Sequence, residues 1–205
     1  MSLVAPASYA QARIWLDERI RFHPDQPQLA IYNMPFLYRL YPNHTLSTKQ
    51  LYHALQLIIN KHQSLRTTLL FDTDKNLLMQ RIIDSNNKLF TFIESVFETD
   101  EQLTNIMHDE RENSHHFDLA HGHVFRCHIV YYKKISSNNL LSNKDVLIFN
   151  FHHALFDFPS MNIFLDDLNQ AYTTGQLRIT ENTTLRYLDC KYIYFSFITY
   201  SLSII

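Results

Sequence analysis

The sequence predicts an α/β chain of the α+β sandwich kind, in which helices pack on a mixed sheet. Three observations carry that expectation. Some segments repeat apolar residues at helical spacing while others are short, strand-like apolar runs. The two kinds follow one another in irregular order. No glycine-rich phosphate loop opens a helix, since the chain holds only Gly122 and Gly175, and nucleotide-binding folds lose their main support.

Each element has its own signal. Ser8 precedes a helix-prone run over residues 10–20 that ends before His23 and Pro24. Residues 31–40, rich in tyrosine, phenylalanine and leucine, read as a strand with Pro35 at an edge or irregular point. Ser47 can cap a helix over residues 49–62, where Leu51, Leu55, Ile58 and Ile59 form one stripe. Residues 65–71 and 77–83 flank a short polar loop and predict a β-hairpin. A strand over residues 89–96 follows, then a helix capped by Thr99 or Asp100 that carries Leu103, Ile106 and Met107. Residues 124–132 form another strand, and residues 136–143 a polar linker. The run Val146, Leu147, Ile148, Phe149 and Phe151 has the character of a strand buried on both faces. After it, Ser160 can cap a helix whose apolar residues are Met161, Phe164, Leu165, Leu168, Ala171 and Tyr172, and Gly175 suits a left-handed C-cap.

Composition narrows the function. With 205 residues, 46% apolar and a formal net charge of −2, the chain has an ordinary globular composition. Its 18 basic and 20 acidic residues nearly balance, which argues against a nucleic-acid or anionic-membrane surface. Cys127 and Cys190 stand singly in apolar segments and read as reduced core thiols. Residues 1–9 lack a charged region followed by a long apolar one, so a cytoplasmic setting is expected. His115, His116, His121 and His123 are dense, but no histidine pair has a helical ligand spacing with a glutamate between; no metal is expected. Residues 192–205 contain no charge, are too few to span a bilayer comfortably as a helix, and form an aggregation-prone tail unless covered.

Chemistry points to residues 150–158, where His152, His153 and Asp157 follow the buried strand. Neighbours on a strand face opposite sides, so one histidine at most looks into a given cavity.

Four stretches in order then resemble the motifs of condensation domains of nonribosomal peptide synthetases. Ser8-Tyr9-Ala10-Gln11-Ala12-Arg13, with Trp15 after it, resembles the first motif, and Lys61-His62-Gln63-Ser64-Leu65-Arg66-Thr67 the second. His152-His153-Ala154-Leu155-Phe156-Asp157 resembles the third, His-His-x-x-x-Asp-Gly, and Tyr187-Leu188-Asp189 the start of the fourth. Phe117-Asp118-Leu119, leading to Gly122 and Arg126, is similar to the segment before the family's active-site strand. The resemblance covers residues 8–189.

It implies one lobe of the chloramphenicol acetyltransferase-like superfamily over residues 1–190, the N-terminal and only lobe of a truncated condensation domain, with residues 191–205 as a tail unlike the family. The implied reaction is amide formation by attack of an acceptor amine on a carrier-bound acyl thioester. The implied partners are peptidyl or aminoacyl carrier protein domains and a separate second lobe; phosphopantetheine belongs to the carriers and no cofactor binds directly. His153 is implied as the catalytic group, an imidazole suiting proton handling near neutral pH. His152 supports the loop, and Asp157 is implied to pair with Arg66. Phe158 stands where the family has glycine, and Cys190 where the fourth motif has tyrosine, so impaired condensation is expected. A non-catalytic carrier-docking lobe and a truncated gene-model remnant are the alternative readings.

Overall fold

The computed structural model describes residues 4–21, 30–84 and 89–177. The fourth motif, Cys190 and the uncharged tail lie outside these residues. The chain runs β1 (Val4–Pro6), α1 (Tyr9–Arg21), β2 (Asn33–Tyr38), β3 (Leu46–Ser47), α2 (Thr48–Lys61), a 3₁₀ turn (Gln63–Arg66), β4 (Thr67–Asp72), β5 (Leu77–Ile82) and β6 (Thr91–Phe97). It continues through α3 (Asp100–Glu112), a second 3₁₀ turn (Ser114–His116), β7 (Phe125–Tyr132), β8 (Leu140–Leu141), β9 (Val146–His152) and α4 (Ser160–Thr174).

The main sheet has the order β2-β9-β7-β6, with β7 antiparallel to β9, β9 antiparallel to β2, and β6 parallel to β7. It is therefore mixed, as the sequence predicts. Every residue of β9 is buried, because helices cover both faces of this inner strand. Its side chains alternate. Leu147, Phe149 and Phe151 join Phe125, Cys127, Ile129 and Tyr131 of β7 in a core with Leu51, Leu55 and Ile58 of α2 and Met161 and Phe164 of α4. Val146 and Ile148 face the other way and pack with Val130, Phe97 and Leu103 of α3. Each such side chain, fully buried, contributes about 1.5–3 kcal/mol.

A smaller antiparallel sheet, β1-β5-β4, carries α1. Ile14 of α1 packs with Leu69 and Leu78 of that sheet and with Ala154 and Leu155, which follow β9. Helix α1 thus ties the small sheet to the loop that holds His153.

Local chemistry explains the boundaries. Ser47 Oγ accepts from Gln50 N at the start of α2, and Thr99 and Gln102 form a reciprocal capping box on α3. Gly175, at φ 69°, ends α4 in the left-handed region. Pro35 lies in β2, an outer strand of the sheet among the described residues, opposite Asn150 of β9, where its missing N–H removes no inner ladder bond.

Three expectations change. The hairpin strand expected from residue 65 begins at Thr67, because residues 63–66 continue from α2 as a 3₁₀ turn. The expected linker over residues 136–143 contains β8, which pairs with β3 through Leu46 and Leu141. Ser160 does not cap α4 with its own oxygen: its N–H donates to Asp157 Oδ1 at 3.1 Å and its hydroxyl donates to the same oxygen, so Asp157 is the capping group.

Candidate active site at the end of strand β9

The two histidines leave β9 with different surroundings. His152 is buried, its Nε2 2.9 Å from Glu18 Oε1 of α1 and its Nδ1 3.2 Å from the backbone nitrogen of Ala154. A carboxylate only accepts and a backbone N–H only donates, so Nε2 carries the proton and Nδ1 the lone pair. Nε2 thus holds the loop to α1 while Nδ1 braces the loop's own backbone, and the Phe117 ring meets the imidazole edge-on at 5.7 Å.

His153 is exposed. Its backbone N–H donates to Tyr32 O at 2.9 Å, which fixes the position of its Cα beside the residue before β2. Its Nδ1 lies 3.0 Å from the carbonyl oxygen of Phe156, which can only accept. The proton therefore sits on Nδ1, and Nε2 is the basic nitrogen of the neutral ring. Phe156 is itself fixed, stacked on Phe151 of β9 with centroids 3.7 Å apart. A core aromatic pair thereby sets the tautomer of an exposed imidazole.

Asp157 and Arg66 do not pair. The Asp157 carboxylate caps α4, while Arg66 Nη1 donates to Ile83 O at 2.7 Å. Burial lowers the pKa of the guanidinium, and the nearby charge of Asp84 offsets part of that effect. The expected ion pair is replaced by two local contacts: Asp157 is drawn to the N–H and hydroxyl of Ser160 at the start of the helix that follows it, and Arg66 to the exit of β5. The second motif reaches α4 by another route. Asp167 of α4 accepts from Lys61 Nζ at 2.7 Å and from His62 Nε2 at 2.6 Å, using both oxygens.

The Phe158 ring is 70% exposed and meets Phe36 of β2 edge-on at 5.4 Å. It leans over the outer strand. A cavity of about 70 Å³, lined by His62, Ser64, Leu65, Phe156, Ser160, Ile163 and Phe164, lies beneath the start of α4. Drug-sized ligands need roughly 300 Å³ or more, so it is too small for one, and His153 does not line it.

The sequence model of the condensation domain matches residues 1–193. The chain belongs to the condensation-domain family. Among its relatives, the hybrid PKS-NRPS synthetase apdA of Emericella nidulans is 29% identical over 184 residues, which is 90% of this chain and 4% of that protein. Tenellin synthetase of Beauveria bassiana is 29% identical over 168 residues, 82% of this chain and 4% of that protein. The chain thus spans a small part of the relatives it matches. The fold is that of the epimerization domain from the third module of tyrocidine synthetase B, with a TM-score of 0.66 at 17% identity over 92% of this chain and 40% of that one. The condensation domain of Monacolin K polyketide synthase gives 0.62 at 14% identity, over 86% and 36%. The family expected from the four motifs is therefore the family found. Among the described residues, no helix is long and apolar enough to cross a membrane.

Sequence reasoning missed a fully buried charge among the described residues of this condensation domain. Glu110 of α3 is fully buried and accepts from His128 Nδ1 at 2.7 Å, Arg126 Nε at 3.0 Å and Asn150 Nδ2 at 2.9 Å. Burial pushes its carboxyl upward, but the His128 and Asn150 hydrogen bonds and the Arg126 charge outweigh that and hold it down at about 2. The signal was available: Glu110 extends the stripe Leu103, Ile106, Met107 by one helical step, so an acid sits on the face turned to the sheet. Asn150 Nδ2 also donates to Glu110 O at 2.6 Å, and Asn33 Nδ2 to Glu110 O and Asn113 O. The end of α3 is therefore fastened to β2 and β9, directly before the His153 loop.

Proposed function

We propose that this chain supplies the histidine wall of a site that joins an acceptor amine to an acyl group held as a thioester on the phosphopantetheine arm of a carrier protein domain. The observation that carries the reading is the exposed His153 imidazole, whose Nδ1 contact to Phe156 O leaves the lone pair of the neutral ring on Nε2. An incoming ammonium can hydrogen-bond to that nitrogen, lose its proton to it, and attack the thioester carbonyl; the thiol leaves with a proton. The family's name and motifs support the reaction class, and the carriers follow from it as partners.

Phe158 lowers the rate in this reading. Glycine would leave the approach to the loop open, whereas an exposed ring beside Phe36 crowds the approach of a tethered acyl group. The same ring favours a second reading, in which the face docks carriers without turnover.

The experiment is amide formation from an acyl carrier thioester and a soluble amine, followed by mass spectrometry. The expected result is slow turnover that rises at least tenfold in Phe158→Gly and returns to background when His153→Ala is added. Carrier binding with no product in either Phe158 form would favour docking alone. Equal rates with and without His153 would overturn its assignment.

A further inference from the structure

Away from His153, the face of the main sheet beneath α3 holds a second set of proton-handling groups. Ser95 Oγ of β6 lies 2.7 Å from His128 Nε2 of β7, and His128 Nδ1 lies 2.7 Å from Glu110 Oε1 of α3. The carboxylate fixes the tautomer. Because Glu110 only accepts, Nδ1 bears the proton, and in the neutral ring Nε2 accepts the Ser95 hydroxyl hydrogen. Glu110 is itself immobilised on both oxygens, by Arg126 on Oε1 and Asn150 on Oε2. Hydroxyl, imidazole and a fully buried, oriented carboxylate in a line are the components of an activated serine nucleophile, recognised by geometry and not by sequence order.

The position of Ser95 suits access. Its side chain is half-buried, and β6 is an outer strand of the sheet among the described residues.

We propose that Ser95, His128 and Glu110 form a second reactive centre that takes small activated carboxylic esters. Ser95 Oγ attacks the ester carbonyl as its proton passes to His128 Nε2; the C–O bond to the leaving group breaks, and the departing alkoxide or phenolate takes that proton. Water then attacks the acyl-serine by the same proton path, releasing the carboxylic acid and restoring Ser95. The centre is independent of the His153 reading, because neither set shares a residue with the other.

The test uses the full chain with diisopropyl fluorophosphate, the labelled residue being located by tandem mass spectrometry, and with p-nitrophenyl acetate for turnover. The expected result is one adduct on Ser95, absent in Ser95→Ala, and an acylation rate that falls about 10²-fold or more in His128→Gln. Since His128→Gln also disturbs a buried contact, the pH profile of the unmodified chain is measured as well; acylation rises with pH as a single base loses its proton. A folded chain whose Ser95 stays unlabelled, or a labelling rate that follows no single titration, overturns the proposal.

Discussion

Glu110 and His128 meet at 2.7 Å between α3 and β7, and both are buried. This contact has a definite pH signature. The carboxyl is held at about 2 in the folded chain, below its ordinary value of 4.5. A depressed acid contributes stability that is fully present above its unfolded pKa and lost as pH falls through the folded one. The unfolding free energy should therefore decline from about pH 5 towards pH 2, by on the order of 3 kcal/mol from this group. Urea titrations across that range should show the slope flattened in Glu110→Gln. Glu110→Ala should cost about 3–5 kcal/mol at neutral pH, because it leaves the half-buried Arg126 and the buried His128 Nδ1–H without their acceptor.

His152 and His153 should separate cleanly on stability. His152→Ala removes a bond to Glu18 and leaves the Ala154 N–H without its acceptor, a loss of about 1–3 kcal/mol. His153→Ala removes an exposed ring and should change stability by less than about 0.5 kcal/mol. Thermal melts of the two variants test this, and equal losses would contradict the different surroundings described for the two rings.

How far these relationships were legible in the sequence depends on range. The helical stripes of α2 and α4 and the doubly buried β9 follow from apolar spacing, because burial on one face or two leaves a periodic trace. The division of His152 from His153 follows from strand alternation. Partners of long polar side chains leave no such trace. Arg66 had both Asp157 and the β5 exit within the choices open to it, and only packing of the 3₁₀ turn decided between them. Glu110 was readable as an acid on an apolar stripe, but not its triple partnership, which needs β7 and β9 already in register. Short ladders such as β3 with β8 are likewise invisible, since two residues carry no periodicity.

Arg66 and Asp157 should behave as independent sites. Asp157→Ala removes the cap of α4 and should cost about 0.5–2 kcal/mol. Arg66→Ala removes the bond to Ile83 O and should cost about 1 kcal/mol. In a double-mutant cycle the two losses should add to within about 0.5 kcal/mol. A coupling well above about 1 kcal/mol, measured by denaturant unfolding, would restore the direct pair.

Asp167 is the link that replaces it. Its two oxygens hold Lys61 and His62 at 2.7 and 2.6 Å, so the end of α2 is tied to the middle of α4. Asp167→Asn keeps the size of the side chain and removes its charge, and an amide offers only one acceptor oxygen for two donors. Hydrogen bonds to charged groups contribute about 1.5–3 kcal/mol, and because Asp167 is buried the loss should approach that range. Lys61→Met should cost less, since Lys61 is partly exposed and its charge is solvated in the unpaired state. The outcome to measure is the ratio of the two losses in urea. If Lys61→Met cost as much as Asp167→Asn, His62 would contribute nothing to the tether and the second motif would be fastened to α4 by lysine alone.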